Sequence, residues 1–339
     1  MADSDTPSNL PVQIAEALVG IPKALVPSSV KALDRLVGAL VDIPVAKLAQ
    51  WKAGIDAQTR SFNLVEEAIA TAAASEVGGD KDVVARSIAT LVRKSYRKQT
   101  NRESVAAAMI QVLGSPEEPT PHATASEQPV SSIDEDWLNV FERYAEDAST
   151  ERMQKLWGRV LAGELRSPGR FSLRTLRFLS EFSQAGAVTF ADFCDSVFGE
   201  AAPKDLAKPK DGKDIRSLLF LESSGLVQGA SDLGLSRTLT FGSNGYAFMR
   251  EGNLALCMQG EAGSSIKHSA IPLTPLGQEL LTLLPTRDAR AAARRVAEAI
   301  RCPEIKSAFL AVVTNEAGNL AKMEILWQES PAVEDPAAQ

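Results

Sequence analysis

Short apolar segments alternate with prolines in the first sixty residues of the chain. From Leu10 to Ile55 the apolar pattern is interrupted at Pro22, Pro27 and Pro44. Proline ends or redirects a helix because it lacks a backbone N–H and clashes with the preceding turn. The pattern therefore predicts several short amphipathic helices rather than one long helix.

Apolar residues after Pro27 recur at the three- and four-residue spacing of one helix face. We expect Ser28 or Ser29 to cap this helix, and a second apolar stripe to begin after Pro44. These faces pack on the protein's own core or on a partner, or they contact lipid directly. The candidate membrane or partner contacts are Val30, Leu33, Leu36, Val37, Leu40 and Trp51.

Helical periodicity continues over residues 82–97 and 103–113, which predicts an N-terminal helical domain over 10–114. Residues 115–132 contain four prolines among Ser, Thr and Glu and predict a linker. Residues 133–184 predict a second helical block, in which Asp134, Ser149 and Ser172 are expected N-caps.

The pattern changes after residue 185, where helices alternate with short apolar runs separated by Gly, Ser and Asn. Thr274-Pro275 predicts the start of a helix, and Gly225 the end of another. Residues 286–329 predict a helix followed by a β-hairpin, and residues 330–339 a tail. The predicted fold class is mostly α, with two helical blocks and an α+β region in the C-terminal half.

Composition limits the function classes. The formal net charge of −7 argues against a general nucleic-acid coat. The three cysteines form no CxxC pair and suit a reducing compartment. With no basic n-region at the start and no run of 18 apolar residues, we expect a cytoplasmic protein, with peripheral membrane attachment left open.

Catalytic and cofactor signals are weak. The chain has two histidines, His122 and His268, and neither lies near another residue at metal-ligand spacing. Glu142, Glu146 and Glu164 are spaced as solvated helix positions, and no glycine-rich phosphate loop occurs. The sequence therefore predicts no enzyme, no metal, no cofactor and no small-molecule substrate.

The strongest local charge signal is a basic run toward the end of the 82–97 helix. Three interpretations stay open: a solvated helix end, a contact with phospholipid head groups, or a contact with nucleic-acid phosphates. The run consists of Arg93, Lys94, Arg97, Lys98 and Arg102.

The stretch over 185–285 resembles a winged-helix domain. The resemblance rests on the Leu-rich segment ending at Gly225-Leu-Val and on the Leu273-Thr-Pro-Leu-Gly segment. It implies that a helix carrying Lys213 and Arg216 could contact DNA. Because that helix also carries acidic residues, a scaffold for protein contact fits better.

Two further stretches resemble a bacterial family known only as a domain of unknown function. They are Ile21–Gly38, continuing to Pro44, and Leu156–Leu165 followed by Pro168–Leu176. The resemblance implies no activity. It implies a setting in which phage-defence components are common.

The leading hypothesis is a non-enzymatic bacterial defence or stress protein that binds a membrane surface or a protein partner, or self-associates, through its N-terminal helices. One alternative is a winged-helix DNA-binding regulator, although nucleic acid is the less favoured partner. Another is a hydrolase with an unrecognised carboxylate site.

Overall fold

The computed structural model describes most of the chain in two compact units. The first unit holds the described residues up to Leu176, and the second holds those from Arg177 onwards. The described residues are 21–37, 81–115, 133–207, 214–231, 235–284, 287–314 and 319–328.

The first unit is helical. Asp134 and Thr150 accept hydrogen bonds from the backbone N–H of the third residue of the helix that follows, and Ser172 does the same for Thr175. Asp134 and Ser172 are confirmed as caps, whereas Thr150 replaces the expected Ser149. The helices are α1 (Val26–Val37), α2 (Lys81–Gly114), α3 (Glu135–Glu146), α4 (Glu151–Arg166) and α5 (Leu173–Glu181), which continues past Leu176.

Helix α2 corrects the prediction of two separate helices over 82–97 and 103–113. The polar residues 98–102 do not interrupt it, because they include neither Gly nor Pro and are held by a neighbouring helix. The Asn101 side chain is buried and donates to the Glu146 carbonyl at 2.7 Å. The polar stretch over 98–102, which the sequence indicated as a break between two helices, is therefore part of α2 and contacts α3.

Helix α1 begins earlier than the sequence suggested. It starts at Val26, so Pro27 occupies its first turn, where a missing N–H costs nothing. Ser28 and Ser29 consequently lie inside the helix and are not its caps, and Ser29 is fully buried.

The closest approach in the first unit is between α2 and α4 at Gly158. A Cβ atom at this position would lie 2.6 Å from Ala108 Cβ and 2.8 Å from Met109 N. Only glycine fits this spacing without displacing one of the helices. Beside it, Trp157 stacks on Tyr144 and meets Phe141 edge-on, with ring centroids 5.3 and 5.7 Å apart.

The second unit combines helices with two antiparallel sheets, in the orders β1-β5-β2 and β3-β4-β6-β7. Its helices are α6 (Gln184–Cys194), α7 (Lys204–Ala207), α8 (Asp214–Ser223), α9 (Pro275–Leu281) and α10 (Ala289–Ala299). Its strands are β1 (Ala201–Pro203), β2 (Ser236–Thr240), β3 (Tyr246–Glu251), β4 (Leu254–Gly260), β5 (Ser265–Pro272), β6 (Ile305–Val313) and β7 (Leu320–Gln328).

Local signals fix several ends of these elements as predicted. Gly225 ends α8 with φ of +76°, and the Leu226 N–H donates to the Leu221 carbonyl, which is the Schellman pattern. Thr274 caps α9 and Pro275 is its first residue. The β6–β7 pairing confirms that the last two predicted strands are antiparallel neighbours.

The four-stranded sheet packs one face on α10. Ala293, Val296 and Ala297 of this helix share a buried cluster with Leu256 and Leu310 of the sheet. The prediction of a mostly α protein is therefore corrected: the N-terminal helices and a C-terminal α+β part are confirmed, but the fold is mixed α and β. The strands form a three-stranded and a four-stranded sheet, which is more β structure than a mostly α fold class implies.

A buried ion pair ties distant segments of the second unit together. Arg287 forms a bidentate pair with Glu251 and donates from Nε to the Cys194 carbonyl at 2.8 Å, as well as to the Val197 carbonyl. Glu251 Oε2, which accepts from Arg287 Nη2, also accepts from the Gly199 N–H at 2.9 Å. Each buried charge thus has a partner, which burial requires.

The packing at Gly158 gives a stability prediction. Replacing a helix-interior Gly by Ala usually favours folding by about 1 kcal/mol. Gly158→Ala should instead lower the free energy of unfolding by roughly 1–3 kcal/mol, since the added methyl overpacks the α2–α4 contact. Urea denaturation followed by tryptophan fluorescence measures the change.

Ser95→Ala, at an exposed position of α2, is the control and should change stability by only a few tenths of a kcal/mol. A Gly158→Ala midpoint equal to or above that of the wild type would contradict the close-packing interpretation.

Candidate interaction surface

The five cations of the basic run divide into two groups on α2. Arg93, Lys94 and Arg97 are exposed, whereas Lys98 and Arg102 are partly buried against α3. Their roles differ accordingly.

Lys98 and Arg102 belong to an ion-pair network that joins three helices. Arg102 Nη1 lies 2.5 Å from Glu142 Oε1 and 3.6 Å from Glu146 Oε1. Lys98 pairs with Glu146, and Arg35 of α1 reaches Glu142 at 3.1 Å. These two carboxylates are about four-fifths buried, so they are not the solvated positions that the sequence indicated. The network attaches α1 and α3 to α2.

The exposed cations form a line with one further residue that the sequence analysis missed. Arg86 is exposed and lies seven residues, or two helical turns, before Arg93, and Arg97 lies one turn after it. Lys94 flanks this line. We call Arg86, Arg93, Lys94 and Arg97 the basic stripe. The i, i+7, i+11 spacing could have identified Arg86, but only once α2 was known to be one helix.

Large apolar side chains are also exposed on the first half of α2. At about 100° per residue, Val83, which is 47% exposed, lies about 60° round the helix from the line of arginines, whereas Leu91, which is 65% exposed, lies about 140° from it. Tyr96 is 38% exposed on the other flank of the arginines. Val84, Ile88 and Val92 are half-buried on the side of α2 away from the arginines. The first half of α2 therefore presents cations together with apolar side chains, which is the composition of a helix that lies at a membrane interface.

The predicted N-terminal contacts lie mostly inside the protein. Leu33 and Leu36 are buried, with Leu36 fully so, and Val30 and Val37 are half-buried. The Gln99 side chain of α2 donates to the Val37 carbonyl at 2.8 Å. The remaining two, Leu40 and Trp51, lie outside the described residues.

The predicted DNA contacts are only partly described. Lys213 lies outside the described residues, and Arg216 is exposed on α8. The same exposed face carries Ile215, Leu219 and Phe220, which are 57%, 46% and 40% exposed. This face is apolar rather than rich in the polar side chains that read base edges.

The buried carboxylate of Glu164 has a structural role. It accepts hydrogen bonds from Gly169 N at 2.5 Å and Phe171 N at 3.0 Å, and the Phe171 carbonyl in turn accepts from Trp137 Nε1 at 2.7 Å. A Cβ atom at Gly163 would lie 2.7 Å from the Phe171 ring. The Leu156–Leu165 and Pro168–Leu176 motifs thus encode the α4–α5 turn.

Buried thiols also lack the character of reactive groups. Burial raises the pKa of Cys257 to about 11 and raises the pKa of Cys194 further above its ordinary value. Both are therefore protonated at neutral pH, and the thiolate is the nucleophile in cysteine chemistry. Across the described ranges, no three His, Cys, Asp or Glu side chains are grouped to hold a metal ion.

Within the part of the chain that the structure describes, no helix combines the length and apolar character needed to cross a bilayer.

The two groups of cations predict different mutational effects. Arg102→Ala should lower the free energy of unfolding by about 1–3 kcal/mol, because it removes a shared partner from two largely buried carboxylates. Arg97→Ala, the same substitution five residues away, should change it by less than about 0.5 kcal/mol. Urea denaturation of both variants measures the difference. Equal effects would show that the division of the basic run is wrong.

Part of the chain matches a known family model. Residues 86–207, from the basic stripe to α7, match the family model described as "Protein of unknown function (DUF2806)". A search of curated proteins and a search of solved structures found no match to the chain. The expected resemblance to a family of unknown function is confirmed in this general form over less than half of the chain: the match includes Leu156–Leu176 but not Ile21–Pro44.

Proposed function

We propose that this chain is a non-catalytic interaction protein that attaches to an anionic membrane surface through the basic stripe of α2. The observation that carries the proposal is the division of cations on this helix. Lys98 and Arg102 neutralise internal carboxylates, whereas the stripe is displayed on the surface.

Charge complementarity favours lipid as the occupant. Each Lys or Arg near an anionic bilayer contributes about 1 kcal/mol of attraction. Four cations within three turns of one helix would hold α2 at the surface, and the exposed Val83 side chain, which flanks them, would enter the headgroup boundary. A nucleic-acid contact would use the same cations but would gain little from the exposed Val83 side chain.

The proposal moves the membrane contact from α1 to α2. Leu33 and Leu36 of α1 are buried, so they would have to leave their present packing before they could touch lipid. The stripe needs no such rearrangement. A defence or stress role, cytoplasmic location and contact with a protein partner are further proposals, which rest on the sequence alone.

Vesicle co-sedimentation tests the lipid contact. The triple variant Arg86→Gln/Arg93→Gln/Arg97→Gln should bind phosphatidylserine-containing vesicles about 100-fold more weakly than the wild type, since it loses roughly 3 kcal/mol of attraction. Wild-type binding should weaken as salt rises. Phosphatidylcholine vesicles should bind little of either protein.

A matched variant controls for net charge. Arg177→Gln/Arg216→Gln/Arg290→Gln removes three exposed arginines of the second unit and should bind as the wild type does. If the wild type ignores anionic vesicles, or if both triple variants lose binding equally, the lipid proposal is wrong. Binding of a random duplex in place of vesicles would assign the stripe to nucleic acid.

We also propose that α6 to α8 with the β1-β5-β2 sheet form a winged-helix-like scaffold. Support comes from the order of the elements along the chain: helix α6, strand β1, helices α7 and α8, and strands β2 and β5. Strand β5, which would follow the wing, lies in the middle of the three-stranded sheet. The chain between β2 and β5 includes β3 and β4, which pair into the second sheet. A DNA-binding regulator remains the alternative function because this topology is the observation that favours it.

The apolar face of α8 predicts that the scaffold does not read DNA. In fluorescence anisotropy at low salt, Arg216→Ala should leave any affinity for a short random duplex unchanged within about twofold, because removing a phosphate contact would change it more. A tenfold or larger loss, together with a reduced salt dependence, would favour the DNA-binding alternative.

A further inference from the structure

Two half-buried basic side chains lie opposite each other on neighbouring strands of the three-stranded sheet. Arg237 of β2 is the direct register partner of His268 of β5. Side chains directly opposite in an antiparallel pair have Cβ atoms about 5 Å apart and point to the same side of the sheet. The guanidinium and the imidazole therefore share one site.

Both side chains have a buried nitrogen without a hydrogen-bond partner among the described residues. These atoms are Nη1 of Arg237 and Nδ1 of His268. No carboxylate of the described ranges forms an ion pair with Arg237 either. A buried hydrogen-bond donor of a charged group needs an acceptor, so leaving these two nitrogens without a partner costs free energy.

The same unit shows how a buried arginine is otherwise satisfied. Arg287 donates to the Glu251 carboxylate and to two backbone carbonyls. Among the residues that the structure describes, Arg237 has no comparable acceptor, and its half-buried side chain still reaches solvent. An acceptor for Arg237 can therefore come from outside the described residues.

The turn at Gly199 lies beside Arg237. Gly199 has φ of +71°, a conformation that favours glycine, and a Cβ atom built on it would lie 3.1 Å from the Arg250 carbonyl oxygen and 4.0 Å from Arg237 Nη1. Arg237 Nη1 is therefore enclosed by this turn and by the Arg250 backbone.

We infer that Arg237 and His268 bind a small oxyanion, the phosphate or carboxylate group of a ligand. The oxyanion accepts one hydrogen bond from Arg237 Nη1 and one from the Nδ1–H of His268, and it supplies the negative charge that the site lacks. Burial and the nearby Arg237 charge lower the pKa of His268, which fits two basic groups held together without a counter-charge. This site is separate from the membrane contact proposed for α2.

The histidine content of the chain provides a direct probe. His122 and His268 are its two histidines, so ring-labelled histidine gives two sets of NMR signals. His268→Gln assigns them. We expect inorganic phosphate, titrated against chloride at constant pH and ionic strength, to shift the His268 signals in a saturable manner and to leave the His122 signals as they are in chloride.

Variants of Arg237 test whether the shift reports this site. Arg237→Gln should weaken the phosphate effect on His268 at least tenfold, Arg237→Lys less, and the exposed-surface control Arg216→Gln not at all. The far-UV circular dichroism spectrum reports whether each variant is folded, and Arg237→Lys preserves the charge if Arg237→Gln does not fold.

A parallel titration with acetate separates the two sources of the oxyanion group. Saturation by phosphate alone assigns a phosphate ligand, and saturation by acetate alone assigns a carboxylate. The inference is overturned if neither anion shifts His268, if both histidines shift alike, or if the folded Arg237 variants keep the wild-type affinity.

Discussion

The contact of α2 with α4 at Gly158 is the constraint on which the first unit depends. With a glycine on α4, the Ala108 turn of α2 approaches within distances that no other residue allows. Trp157, the neighbour of Gly158, then fills the space toward α3 with its stacked ring. Once α2 is fixed in this way, the network of Arg102 with Glu142 and Glu146 sets where α3 and α1 can lie along it.

The same helix thereby serves two purposes along its length. Its second half is core, with Val105 and Met109 fully buried, and its first half displays the basic stripe. A helix rises 1.5 Å per residue, so 34 residues extend about 50 Å, which is more than the packing of α4 requires. The chain as a whole has a net charge of −7, so the local positive field comes from the placement of a few cations on one part of α2.

How much the sequence predicted depends on whether a signal is local. Caps such as Asp134 and Thr274 and the glycine end at Gly225 were predictable because donor and acceptor lie within a few residues of each other. The continuity of α2 was not, since it depends on Glu146, 45 residues away from Asn101. The division of the basic run failed for the same reason: nothing near Arg102 in sequence distinguishes it from Arg97.

Two arginines of the second unit differ in their hydrogen-bond partners. The Arg287 side chain is buried and Arg237 is half-buried, yet among the described residues only Arg287 has a carboxylate partner, Glu251. Selection for stability alone would favour an apolar residue or a paired one at position 237, because a well-packed hydrophobic residue often replaces a buried charge without loss. An arginine opposite a histidine therefore fits the proposed oxyanion, an acceptor that the described residues do not supply, just as the exposed basic stripe fits the proposed anionic surface.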